Sequence, residues 1–212
     1  MQFDFRTLPP ADRYKLLIGA VVPRPIALVT TVDREGIVNA APFSFFNVLS
    51  HDPAVVTLGV EQRHSGAPKD TVRNMRETAE FVVNLVDEAI AEAMNICAID
   101  FPEGTDELAE AGLAAAPSAV VAPPRVAQSP VSLECRLLQE LRLGGGGKRS
   151  IILGEVVYCH VRDGLVDERC RIETAKMKLV GRLAGSGYIR LSDPFSMPRI
   201  AYADWRARKA GA

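Results

Sequence analysis

Residues 24–50 read RPIALVTTVDREGIVNAAPFSFFNVLS, and this stretch begins with two strand-forming segments on either side of a turn. Ile26–Val32 is rich in β-branched residues, which favour strands. Asp33–Gly36 predicts a turn, because Gly36 can adopt a positive φ. Ile37–Ala41 then returns as the partner strand. Residues 26–41 are therefore predicted to form a β-hairpin.

The end of this stretch, Ala41–Ser50, sets three phenylalanines around two serines, an asparagine and a proline. Two interpretations stay open from this pattern. It can be a buried strand that carries polar residues, or a wall that binds a flat ligand with polar edges.

Hydrophobic periodicity predicts further elements along the chain. Strands are expected at Ala54–Val60, Glu80–Val86, Val131–Leu143 and Ser150–Val161. Helices are expected from Pro9 through Leu17 and at 69–78, 87–99 and 105–111. Residues 114–130 predict an irregular connection, and residues 182–191 predict a short strand or an ordered loop.

The predicted strands are joined mostly by hairpins, and few helices separate them. A doubly wound sheet would need strands that alternate with long helices. The pattern instead favours a closed or partly closed antiparallel barrel with helices packed outside.

Composition excludes several classes of function. The 212 residues are 48% apolar and 24% charged, with a formal net charge of −1, so a nucleic-acid-binding surface or a membrane-binding basic patch is not expected. No apolar run near the N-terminus is long enough to cross a bilayer, and the pattern of a secretory signal is missing. The four cysteines lack CxxC spacing, which predicts reduced thiols and a cytoplasmic location.

Motifs for metal, phosphate-loop or hydrolase chemistry are weak. Gly144–Gly147 and Lys148-Arg149-Ser150 miss the phosphate-loop spacing, so a hairpin loop is predicted there. Cys159 and His160 are neighbours on a strand, so one should lie in the core and the other at the surface. No serine has the setting of a nucleophile elbow. We therefore expect no metal site and assign no catalytic residue.

Polar residues near the first hairpin are better candidates for a binding site. Thr30 and Thr31 should face opposite sides of their strand, so at least one is expected to line a pocket or its rim. Helix 69–78 can be capped by Asp70 or Thr71 and should attract a phosphate at its N-terminus. The candidate residues from these patterns are Arg24, Thr30, Thr31, Ser44, Asn47, Arg63, Lys69, Asp70 and Thr71. The alternatives are simple caps, solvated cations and core phenylalanines.

Five segments in order resemble the flavin reductase-like family, which has an FMN-binding split barrel. They are RPIALVTTVDREGIVNAAPFSFFNVLS at 24–50, KDTVRNMRETAEFVVNLV at 69–86, EAMNICAIDFPEGTDELAEAGL at 92–113, PPRVAQSPVSLECRLL at 123–138 and ILGEVV at 152–157. The resemblance covers roughly Pro23 to Leu191.

The resemblance implies a mainly β fold, an antiparallel Greek-key split β-barrel with a few peripheral α-helices. Residues 1–212 would form one FMN-binding domain, with the N- and C-terminal extensions packed on it. It implies that Thr30, Thr31, Ser44, Phe45, Phe46 and Asn47 lie near the flavin ring and ribityl chain. It implies a phosphate-end set of Lys69, Asp70, Thr71, Arg24 and Arg63.

The resemblance also implies a reaction and partners. NADH or NADPH would deliver a hydride from nicotinamide C4 to N5 of FMN, or of FAD, and electrons would pass to free flavin or another acceptor. A partner monooxygenase and a homodimer are implied, with Gly185–Tyr188 and Trp205 suited either to a neighbouring subunit or to packing within the chain. The alternative is an FMN-binding electron carrier or flavin-storage protein without NAD(P)H activity of its own.

Overall fold

The computed structural model describes residues 1–63, 65–145 and 148–210. Strands β1 to β11 are, in chain order, Ala27–Val32, Val38–Phe43, Phe46–His51, Ala54–Glu61, Glu80–Leu85, Ala115–Ala116, Arg125–Val126, Val131–Leu143, Arg149–Val161, Val180–Arg182 and Tyr188–Arg190. Helices α1 to α6 are Pro10–Ala20, Asp70–Thr78, Ala91–Ile96, Glu107–Glu110, Thr174–Met177 and Tyr202–Ala210, and Glu88–Ile90 forms a 3₁₀ turn before α3.

Most predicted elements are confirmed. The predicted hairpin is β1 and β2, and the other predicted strands are β4, β5, β8 and β9. Helix α1 runs past the predicted end at Leu17 to Ala20. The helix predicted over 87–99 is divided between the 3₁₀ turn and α3, because the Asp87 side chain caps the turn by accepting from the amide of Ile90.

The main element missing from the prediction is β3, at Phe46–His51. It pairs with β4 in a tight hairpin whose turn contains Asp52 and Pro53. The predicted loop at Gly144–Gly147 includes Gly146 and Gly147, which lie outside the described residues, as does His64.

The seven long strands form one antiparallel sheet in the order β2-β1-β5-β8-β9-β4-β3. The two edge strands, β2 and β3, are consecutive in the chain and are joined only by Ser44 and Phe45. A sheet whose opposite edges are joined by two residues must curl until those edges meet. The predicted antiparallel barrel with peripheral helices is therefore confirmed.

The barrel has apolar clusters on both sides of strand β1. Ala27 and Val29 belong to the cluster that contains Phe43, Phe46, Val56, Leu58, Phe81 and Ile152. Leu28 points the other way, into a cluster with Met94 of α3 and Leu108 of α4. All six residues of β1 are buried as a result. This strand is therefore covered on both faces, unlike a strand of an open antiparallel sheet.

A buried carboxylate, Glu134 on β8, holds the irregular connection against the barrel. It is fully buried and accepts hydrogen bonds from the amides of Ala119, Val120 and Val121. The His160 ring lies 2.5 Å from it. Burial acts to raise the pKa of Glu134, but the hydrogen bonds from Ala119 and His160 outweigh it and leave the pKa below its ordinary value.

The prediction that one of Cys159 and His160 lies in the core is wrong. Cys159 is exposed, and His160 is only partly buried beside Glu134, so neither lies in the core. No helix among the described residues has the length and apolar character needed to cross a lipid bilayer.

No residue after Leu191 belongs to the described apolar clusters. Every residue from 192 to 209 is exposed, and this segment ends in helix α6. The expectation that residues 1–212 form one domain with both extensions packed on it stays a prediction.

Gly154 of β9 provides a test of the barrel interior. A Cβ at this position would lie 2.3 Å from Cζ of Phe81, which is fully buried. We expect Gly154→Ala to lower the free energy of unfolding by about 1–3 kcal/mol, because the ring has no free space to enter. The midpoint of urea unfolding measures the effect.

Gly19→Ala is the matched control. Gly19 lies in α1, and a Cβ there meets nothing within 4 Å. This change should raise stability by about 0.5–1 kcal/mol through helix propensity. Equal midpoints for Gly154→Ala and the unmodified chain would contradict the described packing of Phe81.

Candidate functional site

A cavity of about 340 Å³ opens beside the start of helix α2. Strand β2 contributes one part of its wall, α2 another, and residues 97–101 a third. Arg63, Lys69, Asp70 and Thr71 all line it. The structure therefore brings together four of the five residues expected at a phosphate end.

The carboxylate of Asp70 lies between two guanidinium groups. Arg73 Nη1 lies 2.8 Å from Asp70 Oδ1, and Arg63 Nη2 contacts Asp70 Oδ2. The other terminal nitrogen of Arg63 lies 3.1 Å from Asp100, a highly exposed carboxylate. Because the Asp70 side chain is largely buried, it fixes the two arginines at the edge of the cavity.

Lys69 is the N-cap of α2, and no side chain accepts a hydrogen bond in the capping position. The prediction that Asp70 or Thr71 caps this helix is therefore wrong. The Lys69 ammonium forms no ion pair with any residue that the structure describes, and its nitrogen lies 5.8 Å from the ring centre of Phe43. An unpaired ammonium beside the first-turn amides of a nine-residue helix is a suitable setting for an anion.

An amide–hydroxyl network supports the wall between β2 and α2. The side-chain nitrogen of Asn39 donates to Thr31 Oγ1 at 3.2 Å and to Thr71 Oγ1 at 3.1 Å. Asn74 donates to the same Thr31 oxygen at 3.1 Å. Asn39 lines the cavity, and Thr31 behind it is fully buried. Thr31 therefore positions Asn39, which sequence reasoning missed although its amide interrupts an apolar strand.

Thr30 lies on the other face of β1 from Thr31 and is also fully buried. Its hydroxyl donates to the carbonyl of Pro124 at 2.5 Å and accepts from Asn84 at 3.3 Å. Neither threonine lines the cavity, because protein covers both faces of the strand.

Glu107 of α4 is a second residue that sequence reasoning missed. It lines the cavity, and the amide of Ala40 donates to its Oε2 at 2.8 Å. Burial raises the pKa of Glu107 above its ordinary value, although the hydrogen bond from Ala40 acts in the opposite direction. Sixty-seven residues separate these two partners, so no local pattern could have indicated the contact.

A neighbouring cavity of about 230 Å³ shares Pro42 and Ala98 with the first one. Arg24 lines it together with Ser44 and lies apart from the Lys69 group. The Arg24 guanidinium is buried, donates to the carbonyls of Ile18, Val21 and Leu183, and lies 3.3 Å from Ser44 Oγ. Among the described residues it has hydrogen-bond acceptors but no carboxylate partner.

Phe45, Phe46 and Asn47, which follow one another in the chain, lie in three different environments. Phe45 is partly exposed, and its carbonyl accepts from the amide of Gly59 at 2.7 Å. Phe46 is buried in the barrel interior. Asn47 is exposed and lies with Phe46 and Arg24 at a third cavity on the far side of β3. The structure therefore does not bring these three residues to the Lys69 cavity.

We call these two cavities, which share Pro42 and Ala98, the trough, and its two ends are lined by chemically different groups. One end offers an ammonium, a guanidinium, a hydroxyl and helix amides, which suit a phosphate. The other end offers Phe43, Tyr14 and Tyr188 beside the Arg24 guanidinium. This donor set fits an elongated molecule that has an anionic terminus and a flat body with polar edges.

Comparison with known proteins identifies a matching family. A sequence model of the family described as "Flavin reductase like domain" matches residues 18–176. A relative from Halalkalibacterium halodurans, itself uncharacterized, is 42% identical over 202 residues and covers 94% of this chain and 96% of its own length.

Two solved structures are similar along nearly the whole chain. Nitrilotriacetate monooxygenase component B from Bacillus cereus is 34% identical, with a TM-score of 0.88 over 93% of this chain and 98% of the other. The 2-nitrobenzoate 2-nitroreductase of Pseudomonas fluorescens is 35% identical, with a TM-score of 0.87 over 95% of this chain and 98% of the other.

The pKa of Glu107 gives a pH-dependent test of the cavity. Because the pKa is higher in the folded chain than in the unfolded chain, ionisation of Glu107 lowers stability as the pH rises through both values. Glu107→Gln removes this penalty and can still accept from Ala40. We expect the stability gain of the variant over the unmodified chain to be larger at pH 7 than at pH 4.

Urea midpoints at the two pH values measure this difference. Glu110→Gln removes an exposed carboxylate from the same helix and controls for the loss of one negative charge. A gain from Glu107→Gln that is equal at pH 4 and pH 7 would contradict the described burial of Glu107.

Proposed function

The chain belongs to the flavin reductase-like domain family, and on that premise we propose that it is an FMN-binding NAD(P)H:flavin oxidoreductase. The observation that carries the proposal is the Lys69 ammonium at the start of α2, which has no ion-pair partner among the described residues and lies at one end of a trough that suits a flat ligand. FMN is the first candidate because its phosphate is terminal, and FAD is the second.

The residues present fit such a ligand from end to end. Lys69, Arg63, Thr71 and the first-turn amide of Asp70 would hold the phosphate. Ser44 and the Arg24 guanidinium would supply polar partners to the edge of the ring.

Five of the assigned residues do not line the trough where the phosphate would bind, and their roles are less direct. Phe45, Phe46 and Asn47 stay assigned to the ring region, because they follow Ser44 in the chain. Thr31 would act through Asn39. Thr30 stays assigned to the ribityl region, supported by its place on the same strand as Thr31.

A bound flavin supplies two-electron redox chemistry, in which a nicotinamide donates and another molecule accepts. The protein's contribution would be to bind, orient and exclude water. The apolar residues around Phe43 would exclude water from the ring, and Lys69 would fix the phosphate. We therefore assign no acid or base to the chain.

The similar structures support two kinds of electron acceptor. One similar structure is a monooxygenase component, and by analogy the acceptor and partner of this chain would be a monooxygenase. The other similar structure is a 2-nitrobenzoate 2-nitroreductase, and by analogy the acceptor would be a small molecule. We also propose a homodimer and a cytoplasmic location, and the four free cysteines support the latter.

Flavin titration followed by anaerobic reduction tests the proposal. FMN should bind with micromolar or better affinity, as an order of magnitude for a charge-assisted phosphate site. NADH or NADPH added without oxygen should then bleach the flavin absorbance near its visible maximum. Unchanged FMN fluorescence and absorbance at saturating protein would contradict flavin binding. Binding without bleaching by either nicotinamide would instead support the electron-carrier or flavin-storage alternative.

Lys69→Ala tests which end of the ligand lies at α2. Losing one charge-assisted hydrogen bond should weaken FMN binding by about 1.5–3 kcal/mol. Riboflavin has no phosphate, so its affinity should change little. Lys176→Ala, which removes an exposed lysine paired with Glu173, is the control and should alter neither ligand. Equal losses for FMN and riboflavin would place Lys69 away from the phosphate.

A further inference from the structure

The C-terminal arm, residues 192–210, exposes large apolar side chains along its length. Phe195 is 83% exposed, Met197 82% and Tyr202 73%, and Ile200 and Trp205 are also exposed. Tyr202 and Trp205 contact one another, with ring centres 6.0 Å apart. So many exposed large apolar residues within so short a segment are unusual on the surface of a monomer.

Among the described residues, no hydrogen bond or ion pair joins the arm to the barrel. The last backbone hydrogen bond to the barrel region runs from the amide of Leu191 to the carbonyl of Leu179. Beyond it, the described hydrogen bond of the arm is internal, from Trp205 to Ala201. A single chain therefore leaves Phe195, Met197 and Tyr202 largely in water, and Ile200 and Trp205 about half exposed.

A second uncovered apolar surface lies on the same chain, at edge strand β3. Val48 is 62% exposed and Leu49 58%, and Phe45 beside them is 44% exposed. An adjoining groove of about 300 Å³, largely apolar, includes Leu133 and Leu191. We call this surface, Phe45, Val48, Leu49 and the groove, the β3 face. Edge strands with exposed apolar residues are normally covered.

We propose that the arm of one copy covers the β3 face of a second copy, and that the exchange is mutual. This inference deepens the homodimer of the proposed function by naming the two surfaces that meet. Each chain carries one arm and one β3 face. A two-fold dimer therefore covers both arms and both faces, and leaves no arm or face free to bind a further copy.

The starting point and length of the arm suit this exchange. Leu191, the residue before the arm, lines the groove of its own chain. In a two-fold arrangement built on this face, each arm begins beside the surface that the other arm covers. Residues 192–201 have no helix or strand and can extend to roughly 33 Å, enough to cross to a neighbouring barrel.

The area is also sufficient for a stable dimer. Because an aromatic side chain carries 150–250 Å², the five exposed side chains present on the order of 600 Å² per arm. Two arms would therefore bury roughly 1,200 Å² of their own surface, and the surfaces that they cover add to this total. A specific interface buries about 1,200–2,000 Å².

The chain's single tryptophan makes the proposal directly measurable, because Trp205 lies in the arm. The experiment uses the full chain without flavin and measures two quantities. Light scattering gives the mass, and quenching of tryptophan fluorescence by acrylamide gives the accessibility of Trp205. We expect a dimer in which quenching is at least threefold weaker than for free N-acetyltryptophanamide.

Two variants test the two sides of the contact. Phe195→Ser changes the arm, and Val48→Glu changes the β3 face. Both side chains are so exposed in the single chain that neither change should disturb its folding. Each should shift the mass towards 23 kDa and raise the quenching of Trp205. Leu138→Glu, an exposed leucine on β8, is the matched control and should change neither quantity.

The other outcomes overturn the proposal. A 23 kDa chain with shielded Trp205 would show that the arm packs on its own barrel. A monomer with freely quenched Trp205, or a dimer in which either variant leaves Trp205 shielded, would exclude the exchange. Neither measurement involves flavin, so failure here is distinct from failure of the proposed activity.

Discussion

The connection between β2 and β3 is the constraint on which the rest of the structure depends. Three peptide units lead from Phe43 to Phe46, so these residues lie at most about 11 Å apart. In a flat seven-stranded sheet the two edges would be about 29 Å apart, at roughly 4.8 Å per strand. The sheet can satisfy both pairing and connection only by curling into a barrel.

Closure has a consequence for the polar residues of β1. Since the strand is buried on both faces, each of its threonines must find a partner inside the protein. Thr30 finds Pro124 and Asn84 on one side, and Thr31 finds Asn39 and Asn74 on the other. The second pair of contacts connects the barrel to the cavity wall. The geometry of the site is thereby coupled to the closure of the sheet.

The sequence was sufficient for local elements and insufficient for contacts between distant segments. The hairpin of β1 and β2 and the start of α2 follow from β-branched content, a turn glycine and apolar spacing, which act over a few residues. Strand β3 was not assigned, because the pattern of residues 41–50 left a buried strand and a ligand wall both open, while the pairing of β3 depends on the turn at Asp52 and Pro53. The opposite orientation of Thr30 and Thr31 was correctly inferred, but their full burial was not. The partners of Thr30, Asn84 and Pro124, lie 54 and 94 residues away in the chain, and Asn74, a partner of Thr31, lies 43 residues away.

Asp70 was misinterpreted for a different reason, because its two partners, Arg63 and Arg73, lie only seven and three residues away in the chain. As an isolated helix start it resembles a cap, yet its carboxylate pairs with Arg63 and Arg73. Each guanidinium also meets an outer carboxylate, Asp100 at Arg63 and Glu103 at Arg73. Both outer carboxylates are largely in water, where their charges are screened. A buried carboxylate at a proposed phosphate site is therefore compatible with anion binding, because it holds two arginines in place while the Lys69 ammonium has no ion-pair partner among the described residues.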